Sequence, residues 1–213
     1  MTDEVSAVAR AIVSCTRCPR LVAWRTETAG PAGVGSPVAG FGDPQAGVFL
    51  LGMATAAAGG NCTGRAFTGN RSARTLVAAL HRAGFANQPT SEHVGDGLRL
   101  DRAWMASAVR CPPPGNRPLA AERDACLGHL RAELAALGRV RVVVCLGVFA
   151  WDAALRCVDA DPRPRFRHGR EHVGPDGLVV LGCYHPSPQN TATGLLTPPM
   201  LDAVLHRARE LMV

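Results

Sequence analysis

Four short, predominantly apolar runs, each followed by a stretch with helical spacing, constrain this chain most. The runs are Val48–Gly52, Ala103–Val109, Val140–Leu146 and Leu178–Leu181. A strand covered on both faces reads as a continuous apolar run rather than an alternating one. Between and after them lie Ser72–Ala83, Leu119–Leu137, Val148–Cys157 and Thr197–Met212, which read as helices; Leu76, Val77 and Leu80 share one face of the first. Strand–helix alternation of this kind predicts a parallel sheet with helices on both sides. A further helical pattern covers residues 3–14, and the Gly-, Pro- and Ala-rich residues 29–47 read as loop. The length, 213 residues, fits one large domain or two small ones.

In a parallel sheet the segments that follow the strands gather at one edge, where α/β proteins keep their chemistry. Here those segments are unusual. The first is Gly52-Met53-Ala54-Thr55-Ala56-Ala57-Ala58-Gly59-Gly60-Asn61. The second is Arg110-Cys111-Pro112-Pro113-Pro114-Gly115-Asn116-Arg117, and the third begins at Gly147. The fourth is His185-Pro186-Ser187-Pro188-Gln189-Asn190, a histidine presented on a segment stiffened by two prolines. Imidazole, amide and guanidinium groups collected on one rim predict a site there.

Net charge is +6, and every basic residue other than histidine is arginine. Arginine recognises phosphate bidentately; high-GC coding produces the same bias, but the positive balance favours an anionic partner either way. No apolar run approaches the roughly 20 residues of a membrane span. The acidic opening Met1-Thr2-Asp3-Glu4 lacks the layout of a signal peptide. A cytoplasmic protein is expected.

Eight cysteines in such a compartment are not expected to form disulfides. Cys145, Cys157 and Cys183 sit in apolar surroundings and read as core, while Cys62 lies in the Gly-rich loop. Cys15 and Cys18 form a Cys-x-x-Cys pair; Cys111 ends the second strand, and Cys126 lies in the helix after it. Four thiolates suit Zn²⁺ or an iron–sulfur cluster. The wide gap between Cys111 and Cys126 is unlike a zinc ribbon and leans towards iron–sulfur. A chance Cys-x-x-Cys beside two unrelated thiols is the alternative.

Three segments together carry a resemblance. Gly52 to Asn70 resembles the first motif of the family 5 (type b) uracil-DNA glycosylases. Val109 to Asn116 is similar to their cysteine–proline segment, and His185 to Asn190 to their second motif. The cysteine pattern is similar to the cluster-binding set of families 4 and 5. The resemblance implies one domain over residues 1–213, a three-layer α/β/α sandwich with a central four-stranded parallel sheet. It implies a [4Fe-4S] cluster on Cys15, Cys18, Cys111 and Cys126, and a monomer that removes uracil or another deaminated base from DNA.

The roles implied follow the chemistry. The base must leave the stack to be reached, with Phe67 as its stacking platform. His185 would donate to the departing base oxygen, and Asn61 would orient a water. Backbone amides from Gly52 through Ala54 to Thr55 would face the base, Ser107 would stand at its polar edge, and Asn190 would hold the loop or contact phosphate. Arg65, Arg110 and Arg117 are candidate phosphate contacts. The usual first motif has proline at Thr55, histidine at Ala58 and aspartate at Asn70, and the position of Ser107 is often asparagine. These departures keep two other readings open: a glycosidase for another modified base or nucleoside, and a non-catalytic iron–sulfur DNA-binding protein.

Overall fold

The computed structural model describes residues 3–29 and 33–212. Met1, Thr2, Val213 and residues 30–32 of the Gly- and Pro-rich stretch lie outside that description. The elements are α1 (Asp3–Val13), α2 (Pro19–Ala29), β1 (Phe41–Gly42), β2 (Val48–Ala54), α3 (Gly60–Thr63), α4 (Arg71–Arg82) and β3 (Ala103–Val109). After a 3-10 turn at Pro114–Asn116 come α5 (Ala120–Leu137), β4 (Val142–Leu146), α6 (Val148–Cys157), β5 (Glu171–Val173), β6 (Val179–Cys183), α7 (Pro188–Ala192) and α8 (Pro198–Leu211).

The sheet runs in the order β1-β3-β2-β4-β6-β5. Its four central strands are the expected parallel set, with Leu50 level with Met105 on one side and Val144 on the other. Each edge carries a short antiparallel strand that the sequence reading lacked, β1 against β3 and β5 against β6.

Alternation along the strands divides the core into two layers. Leu50, Met105, Val144 and Leu181 face α4 and α8, where Leu76, Leu80, Leu201 and Leu205 meet them. Phe49, Leu51, Trp104 and Val143 face the other way, against Val5, Leu130, Trp151 and Leu155 from α1, α5 and α6. Each fully buried side chain of this size contributes roughly 1.5–3 kcal/mol.

Local signals set the helix ends. Asn70 caps α4 by accepting from the Ala73 amide at 2.9 Å. After that helix Gly84 adopts φ +76°, and the amides of Gly84 and Phe85 return to the carbonyls of His81 and Leu80. None of the helices among the described residues is long and apolar enough to cross a membrane.

Candidate active site

The ends of β2, β3, β4 and β6 open into one cavity of about 560 Å³, within the usual range of small-molecule sites. Every segment singled out above contributes to it: Met53, Ala54 and Ala56 after β2, Ser107 and Asn116 from β3 and beyond, Gly147 after β4, and His185 and Ser187 after β6. Phe67 and Phe149 supply aromatic walls. Among the described residues no carboxylate lines it.

His185 faces this space with neither ring nitrogen bonded to another described residue. Burial pushes its pKa down to about 4, so at neutral pH it is an uncharged imidazole that can donate a hydrogen bond. Two ties hold its loop. The Asn190 amide donates to the His185 carbonyl at 2.8 Å, and Ser187 caps α7 by accepting from the Asn190 amide nitrogen at 3.2 Å. Gly147, at φ +96° beside His185, donates its amide to the Cys183 carbonyl at 2.8 Å. That joins the ends of β4 and β6 beside His185.

Phe67 lies over Gly52. A Cβ on residue 52 would stand 2.6 Å from Phe67 Cζ, so the missing side chain is what lets the ring lie against the sheet. Phe67 itself adopts φ +50°, unusual for a bulky residue. Ser107 is buried and lines the cavity, and its hydroxyl bonds to no other described residue.

Several expected site residues are engaged elsewhere. Asn61 is 0% exposed, and its amide donates to the Arg25 carbonyl at 3.0 Å and to Thr28 Oγ1 at 3.2 Å. It ties α3 to α2 and does not reach the cavity, which corrects the water-orienting role read for it. The Thr55 hydroxyl donates to the Arg110 carbonyl at 2.9 Å and its amide to the Val109 carbonyl at 3.1 Å. Gly52 and Ala54 pair with β3, so the stretch read as a turn is strand.

Arg65 is buried in a bidentate pair with Asp96, and Arg110 in one with Glu133. Neither guanidinium is presented to solvent, which corrects their reading as phosphate contacts. Arg117 remains exposed.

The four cysteines come together at a second place, where Cys15, Cys18, Cys111 and Cys126 line one small void. All four are free thiols. Two guanidinium groups point at sulfur: Arg17 Nε donates to Cys15 Sγ and Arg25 Nη1 to Cys111 Sγ, each at 3.3 Å. At Cys111 burial pushes the thiol pKa up to about 11 against the opposing pull of Arg25. At Cys15 burial also works upward, but Arg17 outweighs it and the pKa falls below its usual value. His129 completes the wall, its Nε2 buried without a partner among the described residues. Arg25 and His129 were not anticipated from sequence, since neither lies in a motif.

Arg25 links the cysteines to α3, since its side chain donates to Cys111 Sγ and its carbonyl accepts from the Asn61 amide. Of the three cysteines expected in the core, Cys145 and Cys183 are buried and Cys157 is half-buried; Cys62 is exposed and its thiol donates to the Ala57 carbonyl.

Comparison with known proteins agrees with this geometry. A model of the uracil DNA glycosylase superfamily matches residues 39–209. A type-5 uracil-DNA glycosylase of Mycobacterium bovis is 47% identical over 92% of this chain and 78% of its own length. The type-5 enzyme of Mycobacterium leprae is 46% identical over 92% and 91%. That of Thermus thermophilus is 43% identical over 96% and 97%. With these matches and the cavity at the shared edge of its parallel strands, the chain belongs to the uracil DNA glycosylase superfamily, among its type-5 members.

Proposed function

We propose that this chain, as a single domain over residues 1–213, hydrolyses the N-glycosidic bond of uracil in DNA. It releases the free base and leaves an abasic site for repair. The observation that carries this reading is the convergence of Phe67, Ser107 and His185 on one cavity at the ends of the parallel strands.

A base inside a duplex cannot enter such a cavity, so the nucleotide is everted. Phe67 packs against the ring and Ser107 offers a hydroxyl to its polar edge. As the C1′–N1 bond breaks, its electron pair moves onto the base. The neutral His185 imidazole donates a hydrogen bond to the base oxygen where that charge collects. Water adds to C1′ of the cationic sugar, and the proton it gives up is returned to the base. With no carboxylate among the described residues that line the cavity, rate enhancement is assigned to stabilising the leaving base rather than to deprotonating water. The enzyme is read as a cytoplasmic monomer.

The test is a uracil-containing oligonucleotide, single- and double-stranded, with enzyme in excess. Free uracil and an alkali-labile site are expected; cluster-loaded protein that releases no base from either strand form would end the proposal. Gly52→Ala is a sharper probe of the same site. The added methyl must displace Phe67, so base release falls by at least about tenfold while the melting temperature changes little. Unchanged activity would remove Phe67 from the base platform.

The cysteine set fits a [4Fe-4S] cluster. Four unpaired thiols border one void, and two of them receive guanidinium hydrogen bonds. When bound, the cluster supplies a four-point brace between the α1–α2 segment, the end of β3 and α5. Cys111→Ala is expected to lose most of the bound iron and the absorbance near the visible region. Full iron content in that variant would exclude Cys111 as a ligand.

A further inference from the structure

Seventeen residues line the cavity, and Arg71 is the one permanently charged side chain among them. It is the first residue of α4 and is exposed at the lip. Its guanidinium has no ion-pair or hydrogen-bond partner among the described residues.

Its neighbours differ. Arg74, one helical turn on, is held by Glu92 at 2.9 Å, and Arg65 is buried against Asp96 at 2.7 Å. On the inner wall Phe67, Ser107 and His185 present apolar or neutral hydrogen-bonding surface. That wall suits an uncharged pyrimidine and leaves the cation at the lip unmatched by the base. The formal charge that a DNA substrate brings to such a lip is the phosphodiester beside the everted nucleotide. A free guanidinium offers that group two parallel hydrogen bonds.

We propose that Arg71 is a DNA-binding residue that grips a phosphodiester flanking the everted nucleotide at the cavity mouth. The inference rests on the glycosylase reading of the same cavity. It assigns to Arg71 the phosphate contact that Arg65 and Arg110 cannot make. Arg71 contacts the backbone and not the base, so its contribution is the same whether or not a base is attached.

The experiment compares wild type with Arg71→Gln, Arg71→Lys and, as a control on the same helix, Arg74→Gln. Affinity is measured for uracil-containing duplex and for the same duplex with an abasic site, over a range of salt. Single-turnover base release is measured at saturating enzyme. Arg71→Gln is expected to weaken both duplexes alike, by about five- to tenfold at low salt, and to reduce the salt slope by about 1. Its saturated rate stays within about twofold of wild type. Arg71→Lys recovers part of the affinity, and Arg74→Gln loses none.

Unchanged affinity and slope in Arg71→Gln would overturn the assignment. So would a fallen saturated rate with intact binding, which would place the guanidinium on the leaving base. An equal loss in Arg74→Gln would reduce the effect to general surface charge. Wild-type base release in the same series separates the two claims. If wild type binds but releases nothing, the glycosylase reading fails while the binding comparison still decides Arg71.

Discussion

Replacing His185 with alanine is expected to lower the saturated rate of uracil release by about 10²- to 10³-fold, with DNA affinity within about twofold of wild type. The ring faces the cavity with both nitrogens unengaged, and Asn190 and Ser187 fix the loop that carries it. Its removal therefore takes away one donor without disturbing the wall. Burial holds the imidazole near pKa 4, so it stays neutral from about pH 6 to 9 and the rate should show no inflection there that disappears in the variant. Such an inflection would mean that the ring titrates during turnover and acts by proton transfer.

The same shift has a consequence for stability. An unfolded histidine binds its proton near pH 6.5, whereas the folded one resists until about pH 4. The unfolded state therefore holds the extra proton between those values. The stabilisation is complete above pH 6.5 and is lost as pH falls towards 4. Wild type should lose about 1–2 kcal/mol more than His185→Ala between pH 7 and pH 5, measured by urea denaturation. Equal losses would show that His185 is as well solvated folded as unfolded.

How far the sequence could be read depended on whether the signal was local. The central strands were legible because covered strands are continuously apolar, and their parallel order alone brought four distant segments to one rim. α2 was not legible, since its buried residues are Leu21 and Arg25 with no apolar stripe. β1 and β5 are too short and too exposed to leave a pattern. The start of α7 carries a local signal, Ser187 as cap with Pro188 behind it, that stiffens the segment and also begins a helix.

Within the site, Phe67, Ser107 and His185 followed from the motifs, but the direction of a polar side chain did not. Asn61 and Thr55 lie beside the cavity in sequence yet bond to Arg25, Thr28 and Arg110 behind it. Arg65 and Arg110 looked like surface cations because their partners, Asp96 and Glu133, are remote in sequence. α5 hides its partners in the same way. Its buried stripe mixes Glu122, Arg123 and Glu133 with Cys126, Leu130 and Leu137, so apolar periodicity alone does not reveal it.

Glu133→Ala should be the most destabilising single substitution of a charged residue. The Arg110–Glu133 pair closes at 2.7 Å with side-chain exposures of 1% and 3%. Glu133 also accepts the Gly40 amide at 2.9 Å. Removing the carboxylate leaves a guanidinium with no route to water, a loss of about 3–5 kcal/mol from a total that for a domain is about 5–15 kcal/mol. Glu133→Gln keeps the shape and a carbonyl for the Gly40 amide, and should fall between the two. The double variant Arg110→Met, Glu133→Leu should recover most of the loss, because the penalty belongs to the orphaned charge rather than to the absence of a pair.

This pair also bears on function through its position. Arg110 stands between the last residue of β3 and Cys111, and its carbonyl takes the Thr55 hydroxyl at 2.9 Å and the Val38 amide at 2.8 Å. Glu133→Ala should therefore shorten the half-life of activity at 37 °C and speed loss of the proposed cluster, with the initial rate on uracil-containing DNA little changed. Urea unfolding supplies the energetic measure. A loss below about 1 kcal/mol would show that water reaches Arg110 and that this wall is softer than its burial indicates.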